Sequence, residues 1–260
     1  PGRRHRQVHM VYRGHGHLRL PRTWASSRPL VISPAMNAQA RTPKPAAPVL
    51  TLNEEAYRRL EEMIVTLELE PGCVVSEAML SERIGIGTTP IREALQRLAR
   101  EYLVQILPRR GVVVTAIDVR LQLQVLEARR ELDRLIARSA ARRASAAERA
   151  RIGEIGARML KAGRKGDLHG FLRLDDALNQ QAAHAARNEV AANAVAALHA
   201  VSRRFWFHHQ ADSPLSAETV ALHAAVAEAI GSGDETRAAA SSDALIDHLF
   251  EFARATLPDT

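Results

Sequence analysis

The sequence predicts a mainly α-helical chain in two parts: a small helical unit closed by a β-hairpin, then an all-helical antiparallel bundle. Three observations predict it. From Leu52 onward apolar residues recur at three- and four-residue intervals, the period of a helix buried on one face. The breaks in that pattern consist of Pro, Gly, Ser, Asp and Asn, which cap and end helices. One pair of β-rich runs, Val104–Leu107 and Val112–Thr115, interrupts the helical pattern, with Pro108-Arg109-Arg110-Gly111 between them as a hairpin signal.

Residues 1–50 mix Arg, His, Pro, Gly and Ser without periodicity and are expected to form a disordered basic tail and linker. They hold nine of the 36 Lys and Arg and no acid. The rest therefore carries 27 basic against 29 acidic residues, so the overall charge of +7 belongs to the tail. A uniformly basic nucleic-acid coat is excluded, and any such contact must be local. The tail is either an arm for DNA phosphates or a segment upstream of a start at Met36. With 46% hydrophobic residues the chain can bury real cores, so wholesale disorder is excluded. No apolar run approaches the roughly 18–20 residues of a membrane-spanning helix. The single cysteine, Cys73, permits no internal disulfide. A bacterial cytoplasmic, nucleoid-associated protein without a membrane partner is expected.

The first unit is expected over 51–117. Asn53, followed by Glu54 and Glu55, reads as an N-cap and acidic first turn. Tyr57, Leu60, Ile64 and Leu67 then mark a buried stripe, ended by Pro71-Gly72. Ser76-Glu77 opens a second helix with Met79, Leu80 and Ile84 inward. After the Gly85-Ile86-Gly87 turn, Thr88-Thr89-Pro90 opens a third, with Ile91, Leu95, Leu98 and Tyr102 inward and Arg92, Gln96 and Arg100 outward. Three helices and a hairpin in this order describe a winged helix-turn-helix. Its last helix can enter a DNA major groove while the basic hairpin tip grips phosphate or minor groove. The unit counts 8 basic and 10 acidic residues, so only the placement of Arg92, Arg109 and Arg110 argues for DNA. The second unit, 118–260, is expected to hold six helices at about 118–143, 146–164, 167–186, 190–208, 216–231 and 234–256.

The stretch PGCVVSEAMLSERIGIGTTPIREALQRLAREYLVQILPRRGVVVT resembles the DNA-binding domain of the GntR family of bacterial transcription regulators. The helical remainder is similar to the FCD domain of FadR-like members. The resemblance implies DNA contacts by Thr88, Thr89, Arg92 and Gln96 on the third helix, and by Arg109, Arg110 and Gly111 on the wing. Gly87-Thr88 stands where Ser-Arg is usual in the family, and Tyr102 where glycine is usual. The resemblance further implies a divalent metal (zinc, nickel or manganese) held by Asp175, Asn179, His223 and His248, with Asn179 in place of the usual histidine. Arg129 would meet the carboxylate of an organic-acid effector.

By residue type alone, two alternatives stay open. Asp175 and the two histidines can hydrogen-bond to one another or to water instead of to a metal, and Arg129 can pair with Asp133 on its own helix face. His169, His184, His199, His208 and His209 show no ligand pattern. The expectation for the whole chain is a ligand-responsive regulator, a repressor by type, binding a palindromic operator as a homodimer and carrying out no catalysis. Two competing classes are a helical metalloenzyme using Asp175, His223 and His248, and a winged-helix adaptor that binds only protein. The sequence shows no convincing general base, nucleophile pair or phosphate-binding glycine loop.

Overall fold

The computed structural model describes residues 50–210 and 214–257, so the expected basic tail lies almost wholly outside the described residues. Helix α1 spans Leu52–Val65, and its cap is Thr51, whose hydroxyl accepts from the Glu54 amide. Asn53 is already inside the helix and instead donates to Glu93, 2.9 Å away. Strand β1, Val74–Val75, leads into α2, Glu77–Ile84, which is capped by the Ser76 hydroxyl at 3.1 Å from the Met79 amide. Helix α3, Thr88–Arg100, is followed by β2, Val104–Leu107, and β3, Gly111–Val114.

The three strands form an antiparallel sheet in the order β1-β3-β2. The two-residue β1 is too short to leave a period-2 signal in the sequence. Gly111 is fixed by its position between strands: its φ is +96°, and a Cβ there would lie 2.9 Å from the Val75 carbonyl oxygen. No side chain fits where β3 passes β1 this closely.

The core of this unit contains Leu60, Ile64, Leu80, Ile91, Leu95 and Leu98. Three expected core positions are placed otherwise. Met79 is 40% exposed, because the short α2 turns only Leu80 and Ile84 inward. Leu67 lies beyond α1 at φ 59° and packs on the core of the helical domain. Tyr102 follows α3 at φ 63°, which turns the chain into β2 and leaves the ring 56% exposed. A left-handed φ is the geometric reason for glycine at such a site.

The second unit comprises α4 (Val119–Arg143), α5 (Ala146–Lys165), α6 (Leu168–Ala185), α7 (Glu189–Gln210), α8 (Ala217–Ser232) and α9 (Glu235–Ala255). Its helix starts are set by side chains: Asp118, Ser145, Asp167, Ser216 and Asp234 each accept a first-turn amide, and Ser145 and Glu148 form a capping box. Along the α5–α8 contact, Gly156 and Gly163 stand where a Cβ would meet Ala227 or Val220 at 2.8 Å. These glycines let two backbones approach closely.

The two units share a contact surface. Ala200 of α7 is buried in the core of the winged unit. Two consecutive buried arginines of α7 reach across: Arg203 pairs with Glu61 of α1, and Arg204 donates to the hydroxyl and carbonyl of Thr115. None of the described helices is long and apolar enough to cross a membrane.

Candidate DNA-contacting face and effector pocket

Helix α3 buries Ile91, Ala94, Leu95 and Leu98, and that stripe fixes what the opposite face presents. Thr88, Thr89, Arg92 and Gln96 are all exposed there, at the first turn and the two that follow. Gly87 offers no side-chain cap, so the first amides of α3 have no side-chain acceptor, the arrangement that favours an anion at a helix start. Arg92 is held by Glu77 of α2, Nε to Oε1 at 2.9 Å and Nη2 to Oε2 at 2.6 Å. The pair is exposed and pulls the Glu77 carboxyl below its ordinary range through that hydrogen bond. Arg109 and Arg110 are exposed at the hairpin tip, where the Arg110 amide closes a turn onto the Leu107 carbonyl at 3.0 Å. Arg109 takes φ 62°, so the tip is a tight three-residue loop that projects both guanidiniums outward.

Within the helical domain, α4, α6, α7 and α8 converge on a buried polar group. Arg129 of α4 donates through Nε to Asp133 at 3.0 Å, and His199 of α7 lies 2.8 Å from the other oxygen of that carboxylate. Burial alone would raise the Asp133 carboxyl, but Arg129 and His199 outweigh it and hold it below the ordinary range. Asp175 of α6 behaves alike: against burial, His223, Arg203 and Arg129 hold its carboxyl well below the ordinary range. The Asn179 amide donates to Asp175 at 3.2 Å, and Nε2 of His223 lies 3.4 Å from the same oxygen.

The carbonyl of Thr219, 2.8 Å from Nδ1 of His223, can only accept, so it fixes the proton on Nδ1 and turns Nε2 toward Asp175. A cavity of about 30 Å³ is lined by Arg129, Asp133, Asn179, His199 and His223. A second, of about 20 Å³, is lined by Arg129, Asp175, Arg203, Trp206 and His223.

His248 does not join this group. Its Nε2 lies 2.8 Å from the Thr219 hydroxyl and its Nδ1 faces Glu218, so it meets α8 one turn before His223. Leu245 and Leu249 of α9 occupy the cavity walls instead. Asp175, Asn179 and His223 therefore converge while His248 stands apart. Among the described residues no three His, Cys, Asp or Glu side chains gather as a metal would need. This arrangement does not fit the four-residue metal site expected from the sequence.

His199 is the residue sequence reasoning passed over. It lies on α7 with Ser202, Arg203 and Trp206 at intervals of three and four, all four buried. That stripe of polar and indole groups inside an alanine-rich helix was the available signal.

A winged helix with an exposed, polar third helix, joined to a six-helix domain with a buried ionic pocket, defines a two-domain DNA-binding regulator. Residues 52–114 match the family described as bacterial regulatory proteins, gntR family, and residues 124–248 match the FCD domain. The chain belongs to the GntR family, in its FadR-like, FCD-containing form, whose members are transcriptional regulators and not enzymes.

It is 37% identical over 133 residues to an uncharacterized HTH-type transcriptional regulator in an unstable DNA locus of Streptomyces ambofaciens, covering 50% of this chain and 54% of that protein. It is 38% identical over 72 residues to the HTH-type transcriptional repressor RspR of Escherichia coli K12, covering 28% and 32%. The matches thus span about half or less of these curated relatives.

Among solved structures it is similar to E. coli McbR/YncC, with a TM-score of 0.69, 17% identity and coverage of 80% of this chain and 99% of that one. A putative GntR transcriptional regulator from Rhodococcus sp. RHA1 gives a TM-score of 0.62 at 16% identity, covering 79% and 99%. At these identities the likeness is one of fold.

Proposed function

We propose that this chain is a ligand-responsive repressor of the bacterial cytoplasm that binds a palindromic operator as a homodimer. The observation that carries the DNA reading is the single exposed face formed by Thr88, Thr89, Arg92 and Gln96 on α3, with Arg109 and Arg110 at a tip that only Gly111 allows. On DNA, Arg92 would exchange Glu77 for a base edge or phosphate. Two copies would place these faces on half-sites related by the dimer axis. The test is selection of a binding duplex from random sequence, followed by titration of variants. Arg92→Ala is expected to weaken the selected duplex by about 1–3 kcal/mol and relax its sequence preference. Arg109→Ala with Arg110→Ala is expected to weaken many sequences alike and flatten the salt dependence. An Arg92→Ala protein that binds the selected duplex as the parent does would refute the assignment.

The effector read from the pocket is a small organic acid. Arg129 is buried and spends only Nε on Asp133, and among the described residues its terminal nitrogens have no hydrogen-bond partner. They are free to take a carboxylate in the cavities that Arg129 lines. Arg129→Ala is expected to abolish carboxylate binding measured by calorimetry while leaving duplex affinity without ligand unchanged. A bound divalent metal has less support here, since only Asp175, Asn179 and His223 of the expected ligands come together.

A further inference from the structure

Arg203 occupies a position that neither the DNA face nor the carboxylate site accounts for. It is buried, and its two terminal nitrogens are divided between domains. Nη2 binds Glu61 of α1, in the winged unit, and Nη1 lies 3.0 Å from Asp176 of α6. Asp176 is the immediate neighbour of Asp175, whose side chain belongs to the pocket.

The same guanidinium lines the inner cavity of about 20 Å³, beside Arg129, Asp175 and Trp206. It also lines two larger cavities, of about 200 and 250 Å³, whose walls come from both α1 and α6. One cation therefore faces the pocket interior on one side and holds the DNA-binding domain on the other. The inner cavity is rich in donors. Trp206, which lines it, has a buried Nε1 without an acceptor among the described residues, and Arg129 and Arg203 bring two guanidiniums against one carboxylate, Asp175. Its volume accommodates about one oxygen-sized group, and that group must accept hydrogen bonds.

We propose that Arg203 couples the pocket to the DNA-binding domain, because a carboxylate oxygen in the inner cavity competes with Glu61 for its guanidinium and so releases α1. The inference rests on the carboxylate-pocket reading above. A ligand shifts the domain equilibrium only as far as its affinities for the two states differ, and loss of the Glu61 partner supplies that difference. Arg204 would keep the linker attached through Thr115, so α1 loosens while the chain remains docked at its linker.

The test uses the full chain with Trp24→Phe, which leaves Trp206 as the only tryptophan. Acetate and succinate are the probes, with ionic strength held constant by chloride. Binding is read from Trp206 fluorescence, and α1 from amide hydrogen exchange of peptides covering 57–69. The variant is Glu61→Ala, in which Asp176 still neutralises Arg203, with Glu62→Ala as an exposed control on the same helix.

In the parent and in Glu62→Ala, a carboxylate that changes Trp206 fluorescence is expected to speed α1 exchange by about fivefold or more. In Glu61→Ala the fluorescence titration is expected to persist, while α1 exchange is already fast and no longer responds. A purely structural role for Glu61 would change exchange without removing its dependence on the probe, and would overturn the coupling. A Trp206 response in the parent with α1 exchange unmoved would also overturn it and leave the carboxylate pocket standing. No Trp206 response to either probe in any protein would bring down the pocket reading and the coupling with it.

Discussion

Glu61 shows how one residue combines opposed energies. Burial dominates, and although Arg203 counteracts it, Asp176 and Glu101 add to the upward push while Arg97 opposes it, leaving the carboxyl pushed up to about 7 from an ordinary 4.5. Between those values the folded chain binds a proton that the unfolded chain has lost, so stability falls as pH rises through that window. The contribution is on the order of 3 kcal/mol across it. Denaturant unfolding at pH 5 and pH 8 is expected to show the slope, and Glu61→Gln to flatten it; an unchanged slope in the variant would place its origin elsewhere. Asn179 permits a second residue-scale prediction. Its amide donates to Asp175, so it helps fill the place a metal would take. Asn179→His would bring an imidazole beside Asp175 and His223. Metal analysis after dialysis against a weak chelator is expected to show retention of zinc or nickel by this variant well above that of the parent.

At the scale of elements, the passage from α3 to β2 is the clearest case of local strain. Tyr102 adopts φ 63° with its ring largely exposed, so the side chain gives little packing in return for a conformation that L residues avoid. Tyr102→Asn, which tolerates the left-handed region, is expected to raise stability by about 0.5–1 kcal/mol, read as a higher melting temperature. Gly111 is the opposite case. A Cβ would collide with the backbone of β1, so Gly111→Ala is expected to destabilise the wing and lower duplex affinity. The hairpin would then lose its register against β1 and displace Arg109 and Arg110 together.

For the whole molecule, the decisive feature is that two cores meet. Leu67 from the winged unit packs on the helical core, Ala200 from the helical domain packs in the winged core, and Arg204 holds the connecting strand at Thr115. A single cooperative unfolding transition is expected for the parent. Arg204→Gln removes the two contacts to Thr115 and leaves a part-buried carbonyl without them, a cost of about 1–3 kcal/mol. The measurable result would be separation of the transition into two, with faster proteolysis near residues 115–118.

Sequence alone determined the helices, their order and the exposed face of α3. Amphipathic period and capping residues are local properties, so the six C-terminal helices and the turn residues between them could be read directly. Likewise, the stripe of Ile91, Leu95 and Leu98 leaves Arg92 and Gln96 facing outward in any fold that buries it. The hairpin was legible from Pro108 to Gly111, whereas β1 was not, since two residues carry no period. Asp175, Asn179 and Arg129 were legible as inward-facing groups for the same reason.

Tertiary structure alone decided which of those groups meet. A one-turn offset between α8 and α9 sends His248 to Thr219 and leaves His223 on Asp175. His199 became a partner of Asp133 only because α7 crosses α4 there, and Glu61 and Arg203 meet only because α1 docks on α7. Helical periodicity fixes the face on which a side chain lies but not its height against a neighbouring helix. That axial register is set by packing over whole interfaces, and no short stretch of sequence encodes it.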